Sequence, residues 1–169
     1  NQELIQAANA PVEPQIKISD VDENIPSTNS TNKNTYVVII ANEKYNEIVG
    51  VVPFAHNDGE IFMEYCIRTL GIPSRQIHMV KDATRNKFED AIDWLKGISN
   101  VRSDARFIVY YAGHGVPNGE ETYLLPVDAN PEKAQQMWSL KEMYTTLSEM
   151  PCSSVICMLD ACFSGTRRN

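Results

Sequence analysis

Metal-ligand patterning, excess positive charge and long apolar runs are all missing from this chain. It has three histidines and four cysteines in 169 residues and no Cys-x-x-Cys pair. Cys66, Cys152, Cys157 and Cys162 keep no zinc-like spacing with His56, His78 or His114. The last three cysteines lie too close together for a disulfide framework, so no structural metal or staple is expected. Fifteen Lys and Arg stand against 22 Asp and Glu, a formal net charge of -7. No basic stripe offsets that balance, and a nucleic-acid partner is not expected. No apolar run approaches the length of a bilayer span. Aromatics are missing from residues 1–34, which are instead rich in Asn, Ser, Thr and Pro. That segment reads as a polar tail or linker with local packing through Ile16, Ile18 and Ile25. The first residue is not Met, which reads as a processed or trimmed start. The tail suits an exported protein and the unpaired cysteines a reducing compartment, so the compartment stays open.

From Thr35 a rhythm sets in, and residues 35–169 read as one domain of ordinary size. "TYVVIIA" (35–41), "IHMV" (77–80), "ARFIVYYAG" (105–113) and "SSVICMLDA" (153–161) are short, continuously apolar strands. Between them, 56–71, 84–98 and 139–150 carry helical periodicity, the second opening on a Thr84 cap. Such alternation predicts an α/β fold, a mostly parallel sheet covered on both faces as a three-layer sandwich. Ligands of these sheets bind beyond the carboxyl ends of the strands. His114 in "YYAGHG" and Cys162 in "DACFSG" follow two such ends. Adjacent strands would bring them together although they are 48 positions apart.

A thiol is a nucleophile only as thiolate, and an imidazole beside it can take that proton and later protonate the leaving group. Gly113, Gly115 and Gly165 allow tight turns and would free backbone N–H groups for a developing oxyanion. The remaining residues read as structural. His56 is expected at the surface, His78 at a loop end, Trp94 and Trp138 in packing roles, and Cys157 buried and inert. Tyr110 and Tyr111 fall on opposite faces of their strand, so at most one of them faces a cleft.

"YYAGHG" followed by "DACFSG", with "VVIIANEKY" and "HNDGEIF" before them, resembles the caspase–metacaspase superfamily of cysteine peptidases, closest to metacaspases and bacterial caspase-like proteins. Asp160 stands where the caspase signature has Gln. The resemblance implies Cys162 as nucleophile, His114 as general acid/base, and the N–H groups of Gly115 and Cys162 as oxyanion hole. It implies peptide hydrolysis through an acyl-enzyme. Asp160, two residues before Cys162 and so on its side of the strand, needs a partner, either backbone donors or a substrate cation. In metacaspases such an Asp lines the S1 pocket with an Asp at the start of the first helix, here Asp58. The implied substrate is a peptide or protein with Arg or Lys at P1. A cap of Asn57 and Glu60 is the other reading of that helix start, with Asp58 as helix cap.

The family fold continues with strands that complete the sheet, so a C-terminal small-subunit portion is expected as partner and this chain as the large-subunit part. Arg167, Arg168 and Asn169 mark a possible processing site. Many metacaspases need calcium held by clustered Asp residues. Such a cluster is lacking here, so no cofactor and calcium-independent activity are expected. Other readings are an inactive caspase-like scaffold and a Cys-dependent phosphatase using Cys162-x-x-Gly165-x-x-Arg168. Against the phosphatase, Asp160 would repel a phosphate dianion.

Overall fold

A computed structural model describes residues 20–46 and 49–162. A short helix α1 (Asp20–Glu23) precedes strand β1 (Thr35–Ala41). Then come α2 (Ala55–Arg68), β2 (Ile77–Lys81), α3 (Arg85–Ser99) and β3 (Arg106–Asn118). The chain continues through β4 (Glu121–Leu124), β5 (Trp138–Ser139), α4 (Leu140–Ser148) and β6 (Ser154–Cys162).

Four strands pair in parallel in the order β2-β1-β3-β6. Their apolar runs alternate between two cores because successive side chains point to opposite faces. Val38, Ile40, Phe107, Val109 and Tyr111 pack with Phe88, Ala91, Ile92 and Leu95 of α3 and with Met143 and Leu147 of α4. Val37 and Ile39, with Ile108 and Tyr110, pack on the other face against Cys66, Phe62 and Met63 of α2. This is the three-layer α/β/α arrangement predicted from the sequence. Among the described residues no helix is long and apolar enough to cross a membrane.

The helix starts follow local chemistry, with one surprise. Thr84 and Ser139 cap α3 and α4, their hydroxyls accepting from the N–H groups of Lys87 and Glu142. Helix α2 has no side-chain cap, since its N-cap is Phe54 at φ 74°, and it opens at Ala55. Asn57, Asp58 and Glu60 thus lie inside the helix, which corrects the capping reading of that stretch. Close approach fixes the helix instead. A Cβ at Gly59 would stand 2.9 Å from the Ala41 side chain and 3.0 Å from Met79, so only glycine lets α2 lie this near the ends of β1 and β2.

Part of the polar N-terminal segment runs along α2. Thr28 and Asn32 donate backbone N–H bonds to the carbonyls of Arg68 and Gly71, and Tyr65 donates its hydroxyl to the Val21 carbonyl. Ile25 is buried, whereas Ile16 and Ile18 lie outside the described residues.

Strand β3 is longer than the sequence suggested, and His114 lies within it, not just past its end. From Gly115 it pairs antiparallel with β4 through a two-residue turn, Gly119-Glu120, where Gly119 has φ 64°. A glycine opening a two-residue loop between paired strands is a hairpin signal.

Candidate active site

His114 stands where β3 changes partners. On one side β1 accompanies β3 as far as Ala112, and β4 begins only at Gly115. On the other side β6 runs beside β3 from Arg106 to His114, whose register partner is Cys162. The parallel pairing therefore sets the backbones of the two residues side by side at the carboxyl rim of the sheet, as strand adjacency predicted. Arg167, Arg168, Asn169 and Gly165 lie outside the described residues.

The imidazole of His114 is held on one nitrogen and open on the other. The ring hydrogen-bonds the Gly50 backbone. Its Nε2 is buried and has no hydrogen-bond partner among the described residues. Nδ1 is therefore the nitrogen bonded to Gly50, and as donor to a carbonyl it leaves Nε2 with the lone pair. Burial draws the imidazole below its ordinary value, and the Gly50 bond partly opposes this. The ring is thus a neutral base near pH 7, aimed by one bond. A buried unpartnered acceptor costs about 1–3 kcal/mol, a cost that persists in a native site where the atom has another use.

The backbone around His114 is equally specified. Its N–H donates to the Tyr45 hydroxyl at 2.8 Å, and its carbonyl accepts from the Tyr111 hydroxyl at 2.7 Å and from the Leu125 N–H at 3.1 Å. The Leu125 bond makes Gly115 and Leu124 a non-hydrogen-bonded antiparallel pair. The Gly115 N–H accordingly points away from β4, toward the β6 side.

An acidic wall rises beside this pair. Asp160 lies on β6 opposite Ala112, and Asp58 in the first turn of α2. The Asp58 carboxyl is raised by burial, then by the charge of Asp160, with smaller contributions from Asp22 and Glu43, while the Asn57 side chain pulls it down. Tyr110, stacked on Phe62 with ring centroids 4.5 Å apart, lies close to both acids. Its phenol is pushed up to about 12 by burial, then by Asp160 and Asp58. Tyr111 points to the opposite core, so Tyr110 is the one of the pair that faces the acids.

His56 is not the surface residue the sequence suggested. Its Nε2 contacts Asp82 Oδ1 at 2.8 Å, and its Nδ1 lies 3.9 Å from Glu43. Burial works against the Asp82 charge, yet the N–H groups of Lys44 and Glu43 together with His56 hold its carboxyl below the usual range. The cluster ties the loop after β1 to the start of α2. Nothing in the local sequence pointed to it, nor to Tyr45 and Gly50, because these contacts join positions far apart in the chain. Among the described residues no three His, Cys, Asp or Glu side chains group as metal ligands.

A family model described as the caspase domain matches residues 34–169. No curated protein matches the chain.

Proposed function

The chain belongs to the caspase-domain family of cysteine peptidases, and on that premise we propose that it hydrolyses peptide bonds after Arg or Lys through Cys162 and His114. One observation carries this reading: the buried Nε2 of His114, unpartnered among the described residues, on a residue in register with Cys162. In the proposed reaction Nε2 takes the Cys162 thiol proton and the thiolate attacks the substrate carbonyl carbon. The N–H groups of Gly115 and Cys162 hold the oxyanion, and the imidazolium then returns its proton to the departing amine. Water hydrolyses the acyl-enzyme, with His114 acting as base.

The preference for basic P1 residues rests on Asp160 and Asp58. The charge of Asp160 makes Asp58 costlier to ionise, and a cation entering between them would relieve that. An incoming Asp side chain would add a third negative charge to the same wall.

The domain proposed to carry this chemistry is residues 35–169, with a C-terminal small-subunit portion as partner. In support of that partner, β6 pairs with β3 alone among the described residues. Its α2-side face leaves Ile156 51% and Met158 45% exposed. A further strand along β6 would cover both, and processing at Arg167, Arg168 or Asn169 would accompany activation. Activity is proposed to need no calcium, so chelation followed by added calcium should leave the rate unchanged.

The test is turnover of fluorogenic peptides with P1 Arg, Lys, Asp and Asn, alongside Cys162→Ala. Turnover of Arg and Lys substrates that vanishes in Cys162→Ala supports the reading. Faster cleavage after Asp would refute the specificity. A folded chain, its C-terminal portion present, that turns over none of them would be a scaffold.

A further inference from the structure

His114 occupies a gap in the sheet. Ala112 is the last residue of β3 paired with β1, its carbonyl taking the Asn42 N–H, and β4 pairs only from Gly115. Among the described residues no strand lies beside the His114 N–H, since that group faces the side β1 has left and β4 has not reached. A side chain fills the position: Tyr45, three residues beyond Asn42, receives that N–H at 2.8 Å.

The tyrosine does more than accept one bond. Its hydroxyl lies 3.3 Å from that of Tyr111, which in turn donates to the His114 carbonyl at 2.7 Å. Each phenol has one proton. The Tyr111 proton is committed to the carbonyl, so Tyr45 is the donor between the two hydroxyls. The hydrogen bonds form a closed circuit that leaves His114 at its N–H and returns at its C=O, its weakest step the longer contact between the phenols. The Tyr45 ring also lies against the imidazole, with centroids 4.8 Å apart and planes inclined by 56°.

Gly113 is what makes room. A Cβ there would stand 2.5 Å from the Tyr45 hydroxyl and 2.6 Å from that of Tyr111, and its φ of +157° disfavours other residues. The glycine before the histidine in "AGHG" thus admits two phenols to the histidine's own peptide groups.

We propose that Tyr45 is a positioning residue for His114, fixing its backbone through the circuit with Tyr111 and its imidazole by ring contact, so that Nε2 stays aimed at the rim of β6. The assignment rests on His114 being the proton-transfer group. Tyr45 itself touches no reacting atom.

Tyr45→Phe keeps the ring and removes the oxygen. In the full-length protein it should lower kcat for a P1-Arg peptide about tenfold, the rate equivalent of one hydrogen bond lost from the aimed geometry, with KM within about twofold. Tyr111→Phe should act alike. The double variant should lose no more than the worse single one, because either change opens the same circuit. A structural role alone would lower the melting temperature and leave kcat of the folded enzyme untouched. Nitrogen NMR of labelled His114 provides a readout that needs no turnover. The parent should show the Nδ1–H tautomer, and Tyr45→Phe a shifted or mixed one. Unchanged kcat in Tyr45→Phe, or an unchanged His114 spectrum, overturns the assignment. If the parent shows no Cys162-dependent turnover while Tyr45→Phe still moves the spectrum, the peptidase reading fails and the positioning of His114 stands.

Discussion

Two histidines occupy the same rim of the sheet in opposite surroundings. Around His56, between the ends of β1 and β2, both ring nitrogens face carboxylates, at 2.8 Å from Asp82 and 3.9 Å from Glu43. Around His114, between β3 and β6, one nitrogen is bonded to Gly50 and the other is buried without a partner among the described residues. The first imidazole closes a network that pins the start of α2. The second is rigidly held yet left open where a proton could be passed. Satisfied polar groups specify structure, while an unsatisfied one in a well-ordered pocket marks a place for chemistry.

Exchange of roles is the sharpest way to break this contrast. His114→Ala and Cys162→Ala should each lower kcat/KM for a P1-Arg peptide by about a thousandfold or more, within the range for losing a general base or nucleophile. His56→Ala should retain activity within about tenfold and instead lower the melting temperature by about 2–4 °C, as loss of about 1 kcal/mol would. Paired kinetic and melting measurements on these variants decide it. If His56→Ala proves the more damaging to kcat, the contrast is wrong.

Next in size is the acidic wall. Asp160→Asn should lower kcat/KM for Arg and Lys peptides by about a hundredfold, the scale of a charge-assisted contact removed from a partly desolvated site. Asp58→Asn should do less, since Asp58 comes from the helix and Asp160 from the strand that carries Cys162. Equal losses for a P1-Asn peptide would show that the acids support the fold and not P1 recognition.

How much of this was legible follows from the range of each signal. The parallel sheet could be read because β-branched runs and amphipathic stretches alternate within short windows. The pairing of β3 with β6 followed, and with it the meeting of "AGHG" and "DACFSG". Asp160 could be placed beside Cys162 by strand period alone. The hairpin from β3 to β4 went unread although "PNGE" announces its turn, so β3 was cut short at Gly113. The opening of α2 was misplaced because a left-handed Phe54 does the work expected of a polar cap. The bonds of His114 to Gly50 and Tyr45, and of His56 to Asp82, were beyond reach, being set by where loops land on the rim.

A smaller effect at His114 is a dependence on pH. Burial lowers the pKa of His114, so its neutral form persists below the ordinary value near 6.5. A base must be neutral to act, so the acid limb of kcat/KM should fall below pH 6.5. Stability moves in the same sense. Between the lowered folded value and the unfolded one, the unfolded chain binds more protons, so stability decreases as pH falls through this window. His114→Ala should flatten that part of the stability profile, measured by denaturant titration between pH 5 and pH 7, and an unchanged profile would count against the burial argument.

The smallest expected effect runs against function. Asp58 lies in the first turn of α2, where the helix dipole favours a carboxylate by about 0.3–1 kcal/mol. Burial and the neighbouring Asp160 act the other way, and the raised carboxyl shows that they win. A folded value above the unfolded one means stability is lost as pH rises through it, so at neutral pH the ionised Asp58 weakens the fold. Asp58→Asn should therefore raise the melting temperature at pH 7 by about 1–2 °C while slowing cleavage after Arg, and the gain should vanish as pH falls below the ordinary carboxylate range, where Asp58 is protonated both folded and unfolded. A melting temperature that falls at pH 7 would mean the dipole outweighs the repulsion and that the two acids do not share one wall. A rise confined to neutral pH would identify the strain between Asp58 and Asp160 as what an incoming P1 cation relieves.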